Sequence, residues 1–255
     1  MSLYRTRTPI RDDAWRAALD AFPVLAALEP TAASRLRNLA VRFLHEKSIE
    51  PVQGLEMDTA AHAALAALAC LPVLELGLRS YTGWTSMIVY PGGFMARGQD
   101  VDEAGVVHEF AEARSGEAWS DGPVILSWED IAASGQLDGY NVVVHEMAHK
   151  LDMLNGDANG FPPLHPGMDA AAWHAALSDA FEDLNARLDA DRDSSIDDYA
   201  AHSPGEFFAV ASEYFFELPQ VLDAAYPRVY AQLAAYYGQD LLGRMAAHAR
   251  RGGAA

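Results

Sequence analysis

Apolar residues recur mostly at steps of three and four near the start of the chain: Trp15, Leu19, Phe22, Leu25 and Leu28, then Leu36, Leu39, Val41 and Phe43. That period predicts helices between Asp13 and Leu78, with breaks set by Pro23, Pro30, Pro51 and Pro72. Thr59 to Leu71 is rich in Ala and Leu, which predicts a buried helix ending near Pro72. Between Trp84 and Trp128 the texture changes to short β-like runs, Ser86 to Tyr90, Val106 to Phe110 and Pro123 to Trp128. Pro91-Gly92-Gly93 and Asp121-Gly122 supply turns between them. Further helices are expected over Asp169 to Leu188, Pro204 to Glu217 and Pro227 to Ala247, with a frayed end at Gly252 to Ala255. The pattern predicts an α+β fold, mostly helical, with a small sheet beside one central helix. It reads as a single unit of 255 residues, with a helical part over about 13–80 and a sheet-containing part over about 84–250.

That central helix carries the chemistry. His145-Glu146-Met147-Ala148-His149 places two imidazoles four residues apart, one turn along a helix and on one face. Two neutral histidines so placed can hold one metal ion, and the glutamate after the first is the base a zinc hydrolase needs. Apolar residues on both sides, Val142-Val143-Val144 before and Leu151, Met153 and Leu154 after, predict a largely buried helix. Burying two imidazoles and a carboxylate without partners is expensive, so metal binding accounts for the motif better than a polar surface or hydrogen-bonded core histidines. Asp152 and Asn155 stand where a metzincin motif needs Gly and His, so the third ligand is expected downstream. Glu206, Glu213 and Glu217 are offered by one helix, and separations of seven and eleven residues bring all three to nearly one face. Asp152, on the His145 face, and Glu213 are candidates for orienting a ligand imidazole from behind.

Composition narrows the setting. The chain is 51% hydrophobic and carries a net charge of −18, which disfavours direct binding to nucleic acid. The run Asp189, Asp191, Asp193, Asp197, Asp198 reads as a solvated helix end and loop. The single cysteine, Cys70, lies in an apolar run and leaves no intrachain disulfide and no thiolate cluster. The first residues show no export signal, and no stretch reaches the roughly 18 apolar residues of a membrane span, so a cytoplasmic location is expected. The strand over Val124 to Trp128 is the candidate for pairing with an extended peptide substrate.

Several strings together make the chain resemble a known family. They are Ser203 to Phe216, His145 to Asp152, Tyr90 to Phe94, Ala69 to Leu74 and Gly122 to Trp128. On them the chain resembles the Mlc titration factor A family of bacterial zinc peptidases over roughly residues 15–240, and its catalytic region is similar to that of anthrax lethal factor. The resemblance implies one Zn²⁺ held by His145, His149 and Glu206, Glu146 as catalytic base, and Tyr199 facing the metal. It implies a peptide substrate, with aminopeptidase-like action on short peptides. It also implies a rival reading, a regulatory protein that sequesters a transcriptional repressor and keeps a structural or latent metal site. A zinc hydrolase acting on another carbonyl substrate is the third reading.

Overall fold

The computed structural model describes residues 10–101, 107–119 and 122–244. Val106, Asp121 and the stretches 245–247 and 252–255, on which expectations above fall, lie outside them. The chain begins with α1 (Asp12–Ala21), the short α2 (Pro23–Ala26) and α3 (Pro30–Glu46), then β1 (Ser48–Pro51) and α4 (Thr59–Cys70). Next come β2 (Ser86–Tyr90), β3 (Phe94–Val101), β4 (Val107–Arg114), β5 (Gly116–Ala118) and β6 (Val124–Ser127). The remainder is helical: α5 (Trp128–Ala133), α6 (Val142–Asp152), α7 (Ala170–Leu188), α8 (Pro204–Glu217), α9 (Pro219–Ala225) and α10 (Pro227–Tyr237). This is the α+β fold expected, with helices outweighing a small mixed sheet.

Proline sets many of the helix starts. Pro23, Pro30, Pro204, Pro219 and Pro227 all occupy the first turn of their helices, where a missing N–H is harmless and the fixed φ fits. The helix expected to run from Pro227 to Ala247 instead stops at Tyr237. Gly238 follows at φ 63°, the left-handed conformation that ends a helix cheaply when no Cβ is present. A new helical stretch then begins at Leu241.

The main sheet has the order β1-β2-β6-β5. The β1–β2 and β2–β6 pairs are parallel, and β5 runs antiparallel to β6, with Glu117 opposite Ile125. The hairpin β3–β4 forms a separate two-stranded sheet. This order corrects one expectation: β6, proposed as the strand for substrate, is interior and already pairs on both sides, whereas among the described residues β5 is the edge strand next to α6. Ser115 C=O accepts from Ser127 N–H, and Trp119 N–H donates to Pro123 C=O. Alternation along an antiparallel pair therefore turns the main-chain groups of Gly116 and Ala118 away from β6, toward the open edge.

One apolar core runs from Ile10 to Leu241. The α4 helix is buried from Ala63 to Cys70, and small Ala side chains let its neighbours approach closely; α1, α3 and α6 all pack on it. α8 buries Phe207, Phe208, Phe215 and Phe216, each contributing on the order of 1.5–3 kcal/mol through the hydrophobic effect. Such burial offsets the desolvation of the carboxylates on the same helix. Lys150 of α6 is buried and donates to the main-chain oxygens of Trp119 and Gly122, tying the β5–β6 turn to the central helix. Among the described residues no helix is long and apolar enough to cross a membrane.

Candidate metal centre

α6 and α8 pack against each other, and their facing surfaces build the site. Asn141 caps α6: its side-chain oxygen accepts from Val144 N–H at 3.0 Å. Ser203 caps α8 by accepting from Glu206 N–H at 3.1 Å, which fixes Glu206 in the first helical turn, where the helix dipole favours negative charge. From these two anchored helices His145 and His149 meet Glu206. His145 Nε2 and His149 Nε2 stand 3.2 Å apart, and Glu206 Oε2 lies 3.1 Å from the first and 3.3 Å from the second.

The donor set fits a metal ion. Donors about 2.0–2.1 Å from a common tetrahedral centre stand roughly 3.3 Å from one another, close to the three separations observed. Hydrogen bonding alone does not satisfy such a triangle. If both Nε2 atoms carry protons they face each other as donors, and if neither does, two lone pairs collide with a carboxylate. A cation satisfies all three atoms together. Behind His145, Glu213 Oε1 lies 2.8 Å from Nδ1, a position from which the carboxylate can hold an Nδ1 proton and leave the Nε2 lone pair for a metal ion.

Burial opposes a charge on His145, but its hydrogen bonds with Glu206 and Glu213 prevail and raise its pKa well above the ordinary value. Burial likewise opposes ionisation of Glu206, and the two imidazoles overcome it, holding the carboxyl far below the usual carboxylate range. For Glu146 the balance is reversed. Desolvation pushes its pKa up, only partly countered by His145 and His149, and Oε2 is buried without a hydrogen-bond partner. A carboxylate so desolvated is a strong proton acceptor.

These side chains form the floor of a cleft of about 490 Å³. Its walls are Ser115 to Ala118 along β5, Asp138 to Tyr140 before α6, and Asp197 with Tyr199. Tyr199 belongs to a single 3-10 turn, Asp198–Ala201, capped by Asp197; the residue is 45% exposed and its ring is centred 6.0 Å from the His145 ring. A chain with two helix-borne imidazoles, a carboxylate supplied by a later helix and an edge strand alongside has the layout of a metallopeptidase, and comparison with known proteins agrees. Residues 2–238 match the glucose-regulated metallo-peptidase M90 family.

The chain belongs to that family.

Relatives of this M90 chain include proteins named Mlc titration factor A. The one from Escherichia fergusonii is 41% identical over 241 residues, spanning 93% of this chain and 91% of the relative. Those from Cronobacter sakazakii and Klebsiella pneumoniae strain 342 are each 42% identical over 233 residues, spanning 91% of this chain and 88% of the relative.

The M90 chain brings His145, Glu146, His149, Glu206, Glu213 and Tyr199 to one cleft. Asp152 does not line the cleft: its Oδ2 accepts from Gly160 N–H at 2.7 Å and so pins the loop after α6, while its Oδ1 and His149 Nδ1 are buried without hydrogen-bond partners. Burial raises the Asp152 carboxyl, and the His149 imidazole helps to lower it against that burial. Glu217, third in the carboxylate row, does not join the candidate metal donors and binds Asn141 Nδ2 and Leu137 N–H, at 2.7 Å each. Asn141 itself was readable as a cap, since it stands directly before Val142-Val143-Val144. Tyr140, whose hydroxyl donates to Asp130 at 3.0 Å on the cleft wall, gave no signal in the sequence.

Proposed function

We propose that this M90 chain is a zinc-dependent peptidase that hydrolyses peptide bonds with a metal-activated water. The observation that carries the reading is the triangle of His145 Nε2, His149 Nε2 and Glu206 Oε2, with the buried Glu146 carboxylate in the same cleft. Zn²⁺ held by those three donors supplies Lewis acidity toward water and the scissile carbonyl. Glu146 takes the proton from the attacking water and passes it to the leaving amine, so it ends the cycle ionised, as it began. The Tyr199 hydroxyl donates to the oxyanion that develops on the carbonyl oxygen. Glu213 keeps His145 in the tautomer that offers Nε2. The free edge at Gly116 and Ala118 aligns an extended peptide through main-chain hydrogen bonds, independent of its side chains. The acidic walls, Glu117, Asp138 and Asp197, favour a substrate with a cationic group, such as a free amino terminus, which supports aminopeptidase-like action.

The test is metal content and cleavage of a mixed peptide library by the purified chain and by Glu146→Gln in parallel. The expected result is zinc in both, with cleavage by the variant reduced at least about 100-fold. Full turnover by Glu146→Gln would remove Glu146 from its role. A second reading, that the chain binds a transcriptional repressor, is favoured by the name its relatives carry. It predicts zinc without cleavage in either protein, and the two activities are compatible on one chain.

A further inference from the structure

We propose that Gly116 is a positioning residue for catalysis: its missing side chain is the seat in which the Glu146 carboxylate rests. The inference rests on the role of Glu146 just given. Gly116 opens the edge strand β5, and its backbone is not in the left-handed region, so conformation does not call for glycine at this position. Space does. A Cβ built on Gly116 falls 2.4 Å from Glu146 Oε1, 2.8 Å from its Cγ and 2.9 Å from its Cδ, below the 3.0 Å that real Cβ atoms respect. All three of the nearest atoms belong to that one side chain. The backbone of the edge strand and the carboxylate of the central helix are thus in direct contact, and any side chain at 116 displaces one or the other.

The strand is the harder of the two to move. Ser115 and Trp119 tie β5 to β6 on either side of Gly116, and Lys150 clamps the turn beyond. Glu146 has flexible torsions and one unpartnered oxygen, so the carboxylate yields first. The same short stretch therefore does two jobs. Its outward main-chain groups face the open edge where an extended chain would pair, and its bare Cα fixes how far the proton acceptor stands from that chain. Coupling the two through one residue keeps the base in register with the bond to be cleaved, where misplacement by about 1 Å can lower the rate by roughly 100-fold.

The experiment is a double-mutant cycle on the full chain with Gly116→Ala and Glu146→Ala, read by metal content, steady-state kinetics on one cleaved peptide, and the crystal structure of Gly116→Ala. Expected for Gly116→Ala are unchanged metal content, a kcat lower by roughly 10- to 100-fold with KM altered less than about threefold, and a shifted acidic limb of the pH profile. The crystal structure should show β5 in its native register and the Glu146 carboxylate moved away from the new methyl group. In the Glu146→Ala background, where Cγ, Cδ and both oxygens are gone, adding Gly116→Ala should lower the residual kcat less than about threefold. Equal losses in both backgrounds, or a shifted strand with an unmoved carboxylate, would overturn the proposal. So would failure of the double variant to fold. If the wild-type chain cleaves no peptide, the hydrolase reading falls, while the position of the carboxylate in the crystal still decides whether Gly116 seats it.

Discussion

The Glu213 carboxylate makes two bonds with different consequences. Oε1 engages His145 Nδ1 at 2.8 Å, and Oε2 accepts from Asn141 N–H at 2.5 Å. The first sets the tautomer of a candidate metal ligand and the second holds the start of α6. Glu213→Gln keeps the shape and one carbonyl acceptor but removes the charge that makes His145 Nε2 a strong donor. Carboxylates behind metal-bound imidazoles are typically worth 10- to 100-fold in affinity or activity. The variant is therefore expected to bind zinc roughly 10- to 100-fold more weakly, as read by competition with a chromophoric chelator, while its circular dichroism stays native. Unchanged affinity would mean that the contact with His145 is structural only.

α6 and α8 are braced by a ladder of carboxylates at positions 206, 213 and 217, which reach in turn the metal donors, the back of an imidazole and the cap of the opposite helix. The last rung lies farthest from the candidate metal donors and still responds to pH. Burial raises the Glu217 carboxyl to about 7, despite the bonds it accepts from Asn141 and Leu137. Because the folded pKa lies above the unfolded value, the folded state binds more protons between about 4.5 and about 7. This contribution to stability is thus fully present below the unfolded pKa and is lost as pH rises through the folded one. Urea unfolding of the native chain and Glu217→Gln at about pH 5 and about pH 8 measures it. The difference in stability between the two pH values should be smaller in the variant, by up to about 3 kcal/mol, and a parallel pH dependence would refute the assignment.

Much of this bracing could be read before any coordinates. The i, i+4 histidines, the one-face spacing of the three glutamates and the proline at the start of α8 are local signals, and helices report local signals well. The remainder depended on pairings between distant segments. Ser48 to Pro51 carries no alternation strong enough to announce β1, which exists because β2 offers it a parallel partner. The order of strands placed β6 inside and β5 at the edge, and three residues as plain as Gly116-Glu117-Ala118 do not advertise an edge. Glu206 could be singled out from Glu213 and Glu217 only by resemblance, because spacing alone puts all three on one face.

The donors of the site come from segments 57 to 61 residues apart, so a bound ion cross-links the fold. A ligand that binds only the folded chain, at about 1,000 times its Kd, adds about 4 kcal/mol. For a chain of this length that corresponds to a shift in Tm on the order of 10 °C. Calorimetry with zinc and with a chelator should show such a gap, and His149→Ala should abolish it; equal melting temperatures in the native chain would argue against a metal at this site. The same architecture governs how the protein comes into being. α6 has buried neighbours on both sides of the sequence, α4 made earlier and α8 made later. At roughly 5–20 residues per second, a ribosome needs about 3–12 seconds to go from His145 to Glu206. Throughout that interval the face of α6 that packs on α8 has no lasting cover, and the two histidines have no third donor. The nascent chain thus passes through a stage that is sticky and only half able to hold metal, and a message truncated before α8 yields a product that chaperones and proteases should recognise rather than a smaller folded protein.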